Sequence, residues 1–191
     1  MLLALLLSAP LAASAGGLSI KGDGGIAIGM SRADVSIATA TTADGKLEPY
    51  ELVGCTTTHL LTYSTSTVFA TAVIRFERML GESCEIPVRI DKIYNIELDY
   101  VDGVEGRTVL DEHLKALGKP FKKEGRPDSG VSYHEWRKGP YSVLLVINLR
   151  DGTAIRKEIR DIGMDKEIKK LEKPLMEREL REKRKKNRDG L

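Results

Sequence analysis

The amino-acid sequence predicts an α+β protein: two tandem units, each an N-terminal helix packed on a three-stranded or larger antiparallel sheet, followed by a C-terminal helix. Three observations lead there. The pattern Gly-x-[Ser/Thr]-x-x-Asp occurs at Gly29–Asp34 and again 77 residues later at Gly106–Asp111. Each copy is followed by runs with the two-residue alternation of half-buried strands, bounded by Gly, Pro and Asp turn signals. Residues 164–191 change character and become charge-rich and helix-forming.

Residues 1–15 carry no charged side chain, an apolar run from Leu2 to Leu7 and the small-residue ending Ala13-Ser14-Ala15. That layout predicts a secretory signal peptide cut after Ala15. A membrane anchor needs about 20 apolar residues, and this run reaches only about 14 and includes Pro10. Gly16 stands where a lipoprotein would carry cysteine. The mature chain is therefore expected to be periplasmic or secreted, without a transmembrane segment. Residues 16–25, with Gly22-Asp23-Gly24-Gly25, read as a flexible connector.

The first unit is expected over residues 26–103. Its helix opens with Ser31 as N-cap and Asp34 three residues later, where hydroxyl and carboxylate can satisfy each other's backbone amides. Strands are expected around Thr57–Tyr63, Val68–Glu77 and Val88–Tyr100, with an insertion at Met79–Pro87. The second unit, residues 104–163, repeats the order. Thr108 and Asp111 form the second predicted capping box, and Leu110, Leu114 and Leu117 share one helical face. Gly118 and Pro120 end the helix. Residues 122–130 read as a loop, Val131–Arg137 and Tyr141–Arg150 as strands joined at Gly139-Pro140, and Thr153–Ile162 as a strand after an Asp151-Gly152 hairpin turn.

The tail, residues 164–191, reads as two helical pieces, Met164–Lys173 and Pro174–Arg188, with Pro174 as a first helical residue. Ile168, Leu171, Leu175 and Leu180 form a narrow apolar seam. The tail holds 11 Lys/Arg against 7 Asp/Glu, a net of +4, so the rest of the chain carries about −2 of the total +2. The globular part thus lacks the clustered basic surface of a nucleic-acid-binding domain, and no nucleic acid is expected as a partner. Arg181, Lys183, Arg184, Lys185, Lys186 and Arg188 are candidates for weak contact with an anionic surface; a solvated helical face is the plainer reading.

Cys55 and Cys84 are the two cysteines. In an exported protein such a pair reads as a disulfide, closing a loop of about 30 residues and adding roughly 3–4 kcal/mol on the chain-entropy model. Two free thiols are the alternative, and neither has an activating neighbour. His59, His113 and His134 have no spacing suited to a metal. No Gly-x-Ser-x-Gly elbow or phosphate loop occurs. No catalytic residue, metal or cofactor is therefore assigned. Recognition is best sought at Val131–Arg137, where Tyr133, His134, Trp136 and Arg137 are candidate partner-binding residues of the types that dominate interface hot spots. Alternation puts Tyr133 and Arg137 on one face, His134 and Trp136 on the other; Trp136 beneath a helix is the structural alternative.

The string Ile28-Gly29-Met30-Ser31-x-x-Asp34-Val35 resembles the helix opening of the small lipoprotein of the bacterial outer-membrane β-barrel assembly machine. Leu117-Gly118-Lys119-Pro120 is similar to the Leu-Gly-x-Pro that ends the helical part there, although the first copy lacks it. Tandem α+β units of about 76 residues resemble the β-lactamase-inhibitor-protein fold. The resemblance implies a small exported binding module without catalysis. The expected function is an exported, non-catalytic envelope protein that binds an envelope or secreted protein. The alternatives are a secreted enzyme inhibitor and an unrecognised periplasmic enzyme.

Overall fold

The structure, a computed structural model, describes residues 18–40, 48–53, 56–64, 67–77 and 92–189. The predicted signal peptide, the expected insertion at Met79–Pro87 and both cysteines lie outside the described residues, and with them the predicted disulfide.

The chain begins with a small hairpin, β1 (Gly22–Asp23) and β2 (Ile26–Ala27). Gly24 and Gly25 turn it with φ of +60° and +83°, the pair of positive angles that a tight two-residue hairpin needs. The predicted flexible connector is thus corrected in part. The glycines serve a turn, and Asp23 is bonded into the body of the protein. Helix α1 (Arg32–Ala38) follows, and Ser31 and Asp34 make the full capping box. Asp34 Oδ2 accepts from the Ser31 amide at 2.9 Å, and these bonds to Ser31 hold its carboxyl below the ordinary range.

Four strands then run β3 (Glu48–Val53), β4 (Thr56–Thr62), β5 (Phe69–Glu77) and β6 (Lys92–Tyr100). Helix α2 (Gly106–Leu117) is followed by four more: β7 (Lys122–Arg126), β8 (Val131–Lys138), β9 (Tyr141–Asn148) and β10 (Ala154–Asp161). They form one eight-stranded antiparallel sheet in the order β3-β4-β5-β6-β10-β9-β8-β7. Each half is a local meander, and the halves join through β6 and β10. The expected loop at 122–130 is corrected, because Lys122–Arg126 pairs with β8. Its sequence, Lys-Lys-Glu-Gly-Arg, has no apolar alternation to reveal a strand, and charge on a sheet edge is a common protection against edge-to-edge pairing.

One core cluster serves both halves, with Ile74, Phe76, Ile96, Leu98, Val143, Leu145 and Ile159 at its centre. Burying each such side chain contributes about 1.5–3 kcal/mol. Val35 of α1 and Val109 of α2 dock on this face. Along α2 the buried residues are Gly106, Val109 and His113, while Leu110 and Leu117 are partly buried and Leu114 is exposed. The helix is therefore rotated from the predicted leucine face. Gly106 explains the rotation. Its amide donates to the Gly152 carbonyl at 2.8 Å, and an added Cβ would stand 2.6 Å from that oxygen and 2.7 Å from Ile147 Cγ2.

The second capping box is corrected. Helix α2 starts three residues earlier than predicted, with Glu105 at the N-cap and no side-chain cap bond. Thr108 instead donates to Glu105 Oε2 at 2.6 Å, and Asp111 lies beyond the first turn. The turn between β9 and β10 is also longer than two residues: Asp151 Oδ1 accepts from Thr153 N and Oγ1 at 2.9 and 2.7 Å, and Gly152 has φ +77°.

Helix α3 (Ile162–Asp189) is one element through Pro174, where two pieces were predicted. Asp161 caps it, accepting from Gly163 and Met164 amides at 2.9 and 3.1 Å. Pro174 removes one helical donor, and its exposed setting leaves the freed carbonyl to water. The first part of α3 meets β6, β9 and β10, and Ile168 is buried.

Two substitutions test this packing. Gly106→Ala should destabilise the fold by about 1–3 kcal/mol, read as a lower urea midpoint, because the added methyl has nowhere to go. Ser31→Ala should cost about 1 kcal/mol, whereas Thr108→Ala should stay within roughly 0.5 kcal/mol, since only the former removes a cap.

Candidate functional site

The register of the strands divides the side chains between two faces. One row across the helix-covered face reads Ala72, Leu98, Lys157, Leu145, His134, and the next reads Ile74, Ile96, Ile159, Val143, Trp136. The opposite face carries Val73, Glu97, Glu158, Leu144, Glu135 in one row and Thr71, Asp99, Arg156, Val146, Tyr133 in another.

This separation decides the fate of the Val131–Arg137 segment. His134 and Trp136 are buried, and the proposal that they contact a partner is corrected. Trp136, 2% exposed, donates through Nε1 to the Gly118 carbonyl at 2.7 Å at the end of α2. Its ring lies 5.2 Å from that of His113 and 6.4 Å from that of His134. It packs beneath the helix because an indole can bury its apolar body only if its N–H finds an acceptor. Burial, and Lys123 nearby, hold His134 below its usual pKa. Tyr133 and Arg137 face the other way. The Arg137 guanidinium lies 4.7 Å from the centroid of the exposed Phe121 ring and bonds Glu135 at 2.7 Å. Lys122, Glu124, Tyr133, Glu135 and Leu144 line a shallow depression of about 250 Å³ on this face.

The same face carries a network that the sequence did not single out. Glu97 stands directly opposite Glu158 across β6 and β10, a repulsive pairing on its own. Arg75 bonds Glu97 and Asn95, and Arg156 bonds Glu97 at 3.0 Å and Asp99 at 2.7 Å. Glu158 is held by Asn95 at 2.9 Å and by Arg160 at 2.9 Å. The signal was present as the alternation Arg156, Glu158, Arg160 in β10.

Beneath α2 the structure places a buried cation. Lys157 has no exposed side-chain surface, and its Nζ pairs with Asp23 Oδ2 from the N-terminal hairpin. Desolvation pushes its pKa down, against the pull of Asp23 and Glu112. His113, 1% exposed, approaches the Val109 carbonyl with Nδ1 at 2.7 Å, while its Nε2 finds no partner among the described residues. Burial, with Lys157 nearby, lowers its pKa to about 4. Tyr63 donates to the Gly24 carbonyl at 2.8 Å, and burial raises its pKa, as it does for Tyr100. Beside these groups lies a cavity of about 820 Å³, walled by Phe69, Tyr100 and Val109 and bordered by Asp23, Glu112 and His113.

The remaining predicted residues stand apart from both places. Arg181, Arg184 and Lys185 are exposed on α3; the side chains of Lys183, Lys186 and Arg188 lie outside the described residues. Among the described residues no three His, Cys, Asp or Glu side chains are grouped to hold a metal, and no helix is long and apolar enough to cross a membrane.

His113 yields a pH prediction. Its folded pKa lies below the ordinary 6.5, so the unfolded chain takes up the proton first as pH falls. The stability is fully present above pH 6.5 and is lost towards pH 4. Between pH 7 and pH 5 the wild type should lose about 2 kcal/mol more than His113→Phe, measured by urea unfolding.

No protein-family model and no curated protein matches the chain. The chain is similar to one solved structure, that of a DUF4309 family protein (YjgB) from Bacillus subtilis subsp. subtilis str. 168. The likeness has 17% sequence identity, covers 69% of this chain and 78% of that one, and has a TM-score of 0.33. None of these comparisons names the assembly-machine lipoprotein or the β-lactamase-inhibitor-protein fold.

Proposed function

We propose that the chain is an exported, non-catalytic binding protein of the cell envelope, and that the outward face of the sheet contacts its protein partner. The observation that carries this reading is the grouping of Tyr133, Arg137 and Phe121 beside a shallow depression lined by β7, β8 and β9 on the sheet face opposite Trp136. Aromatic and arginine side chains held in place by cross-strand neighbours lose little entropy on binding and supply most of the energy at typical interfaces. The ion-pair network beyond them offers both signs of charge, which sets orientation more than affinity.

On the same reading the two halves are tandem copies of one unit, a helix followed by a four-strand meander, joined at their last strands. The leader supports export, and the exposed basic residues of α3 supply a weak contact with an anionic surface.

A photo-crosslinking amino acid placed at Tyr133 should capture an envelope protein in cells, whereas the same group at exposed Ile37, on the helix side of the sheet, should not. Tyr133→Ala with Arg137→Ala should lower affinity for the captured protein by about tenfold or more without shifting the thermal midpoint. No adduct above background at position 133 would overturn the reading.

A further inference from the structure

We propose that α2 is an acid-opened flap, hinged at its N-terminal end and latched to the sheet at its C-terminal end by Trp136. The device is separate from the outward sheet face and does not depend on what that face binds.

The attachment of α2 is uneven along its length. At its start the Gly106 amide donates to the Gly152 carbonyl and the Ala154 amide to the Val104 carbonyl, both at 2.8 Å, and Glu105 bridges to Thr153. These backbone bonds fix one end of the helix to the turn between β9 and β10. Past Gly106, only Val109 and His113 of the twelve helical residues are fully buried. The far end is held by Trp136, whose Nε1 donates to the Gly118 carbonyl at 2.7 Å. Gly118 itself has φ +78°, and a Cβ there would meet nothing within 4 Å. A helix this short draws its stability from packing more than from its own bonds, so these few contacts decide whether it stays down.

Between hinge and latch stands His113, which fits the closed position only when neutral. Its Nδ1 lies 2.7 Å from the Val109 carbonyl, an oxygen that can only accept, so Nδ1 carries the hydrogen. Its Nε2 is buried with no partner among the described residues, so a second proton there would point at no acceptor. The neighbours offer no rescue. Asp23 of the hairpin has both oxygens taken, by Lys157 Nζ and the Gly24 amide. Lys157 of β10 adds a like charge, and Tyr100 of β6, on the wall of the same cavity, is a neutral phenol. His134 of β8 stacks on Trp136 and is itself kept neutral by burial and Lys123. On α2, Glu112 is exposed to water. Lifting the helix hydrates the imidazole and removes the conflict. Burial, with Lys157 nearby, holds the closed-state pKa of His113 at about 4, below its ordinary 6.5. The closed flap is therefore fully favoured above pH 6.5, and that advantage is lost as pH falls towards 4.

The test is hydrogen exchange on the full chain, read at the amides of α2, β9 and β10 and corrected for the intrinsic rate at each pH. At pH 7 the α2 amides should be at least about tenfold less protected than those of β9 and β10, because the flap opens without the sheet. Between pH 7 and pH 4.5 the opening equilibrium of α2 should rise about 50-fold, the ratio for an imidazole titrating at 6.5 when open and at about 4 when closed. His113→Phe should cut that rise to under about tenfold. Trp136→Phe keeps an aromatic ring and removes the latch bond, and should raise α2 opening at pH 7 about fivefold. Equal protection of α2 and the sheet at pH 7, a full rise retained by folded His113→Phe, or α2 exchange unchanged in Trp136→Phe would each overturn the flap.

Discussion

The pairing of β6 with β10 is the constraint on which the molecule depends. Every other neighbour in the main sheet is also a neighbour in strand order along the chain. This pair alone brings together residues some sixty positions apart, Asn95 to Asp99 with Arg160 to Arg156. Its two faces are secured differently. On the covered side Ile96 meets Ile159 in the common core. On the outer side two glutamates face each other, and the pairing holds because arginines from β5 and β10 and the amide of Asn95 divide the charge between them. Removing one guanidinium would leave a half-buried like-charge pair at the junction of the halves.

A second constraint lies under α2. Lys157 occupies a position whose neighbours in the row are Leu98 and Leu145, and an ammonium there requires a partner. Asp23 supplies it from 134 residues away, and its other oxygen accepts from the Gly24 amide at 2.8 Å. The ion pair therefore fixes the position of the hairpin over the sheet, a role in specificity more than in net stability. His113 and Trp136 close the same region, one bonded to Val109 within the helix and the other to Gly118 at its end.

Much of the fold was legible because its elements are local. The strands around Thr57, Val68, Val131, Tyr141 and Thr153 announce themselves by alternation and turns, and the Ser31 cap by its hydroxyl and acid. The α+β class and the alternation of Tyr133 with Trp136 followed from the same signals. What was not legible depends on contact at a distance. The rotation of α2 rests on Gly106 meeting Gly152, which no helical periodicity encodes. The edge strand at Lys122 has a sequence suited to staying exposed, so it reads as a loop. Lys157 looks like a surface lysine until the register puts it in line with Leu98, and the Asp-Gly-Gly of the hairpin looks like a linker until Asp23 is seen to answer it.

The order of the strands has a consequence for the timing of folding. β6 completes the first meander, yet its partner β10 leaves the ribosome more than fifty residues later. Until then the first half presents β6 as an open edge to other chains. The residues that later form the junction suit that interval, because Asn95, Glu97 and Asp99 put polar and acidic side chains along the waiting strand. The charges that join the finished halves thus also guard the unfinished one.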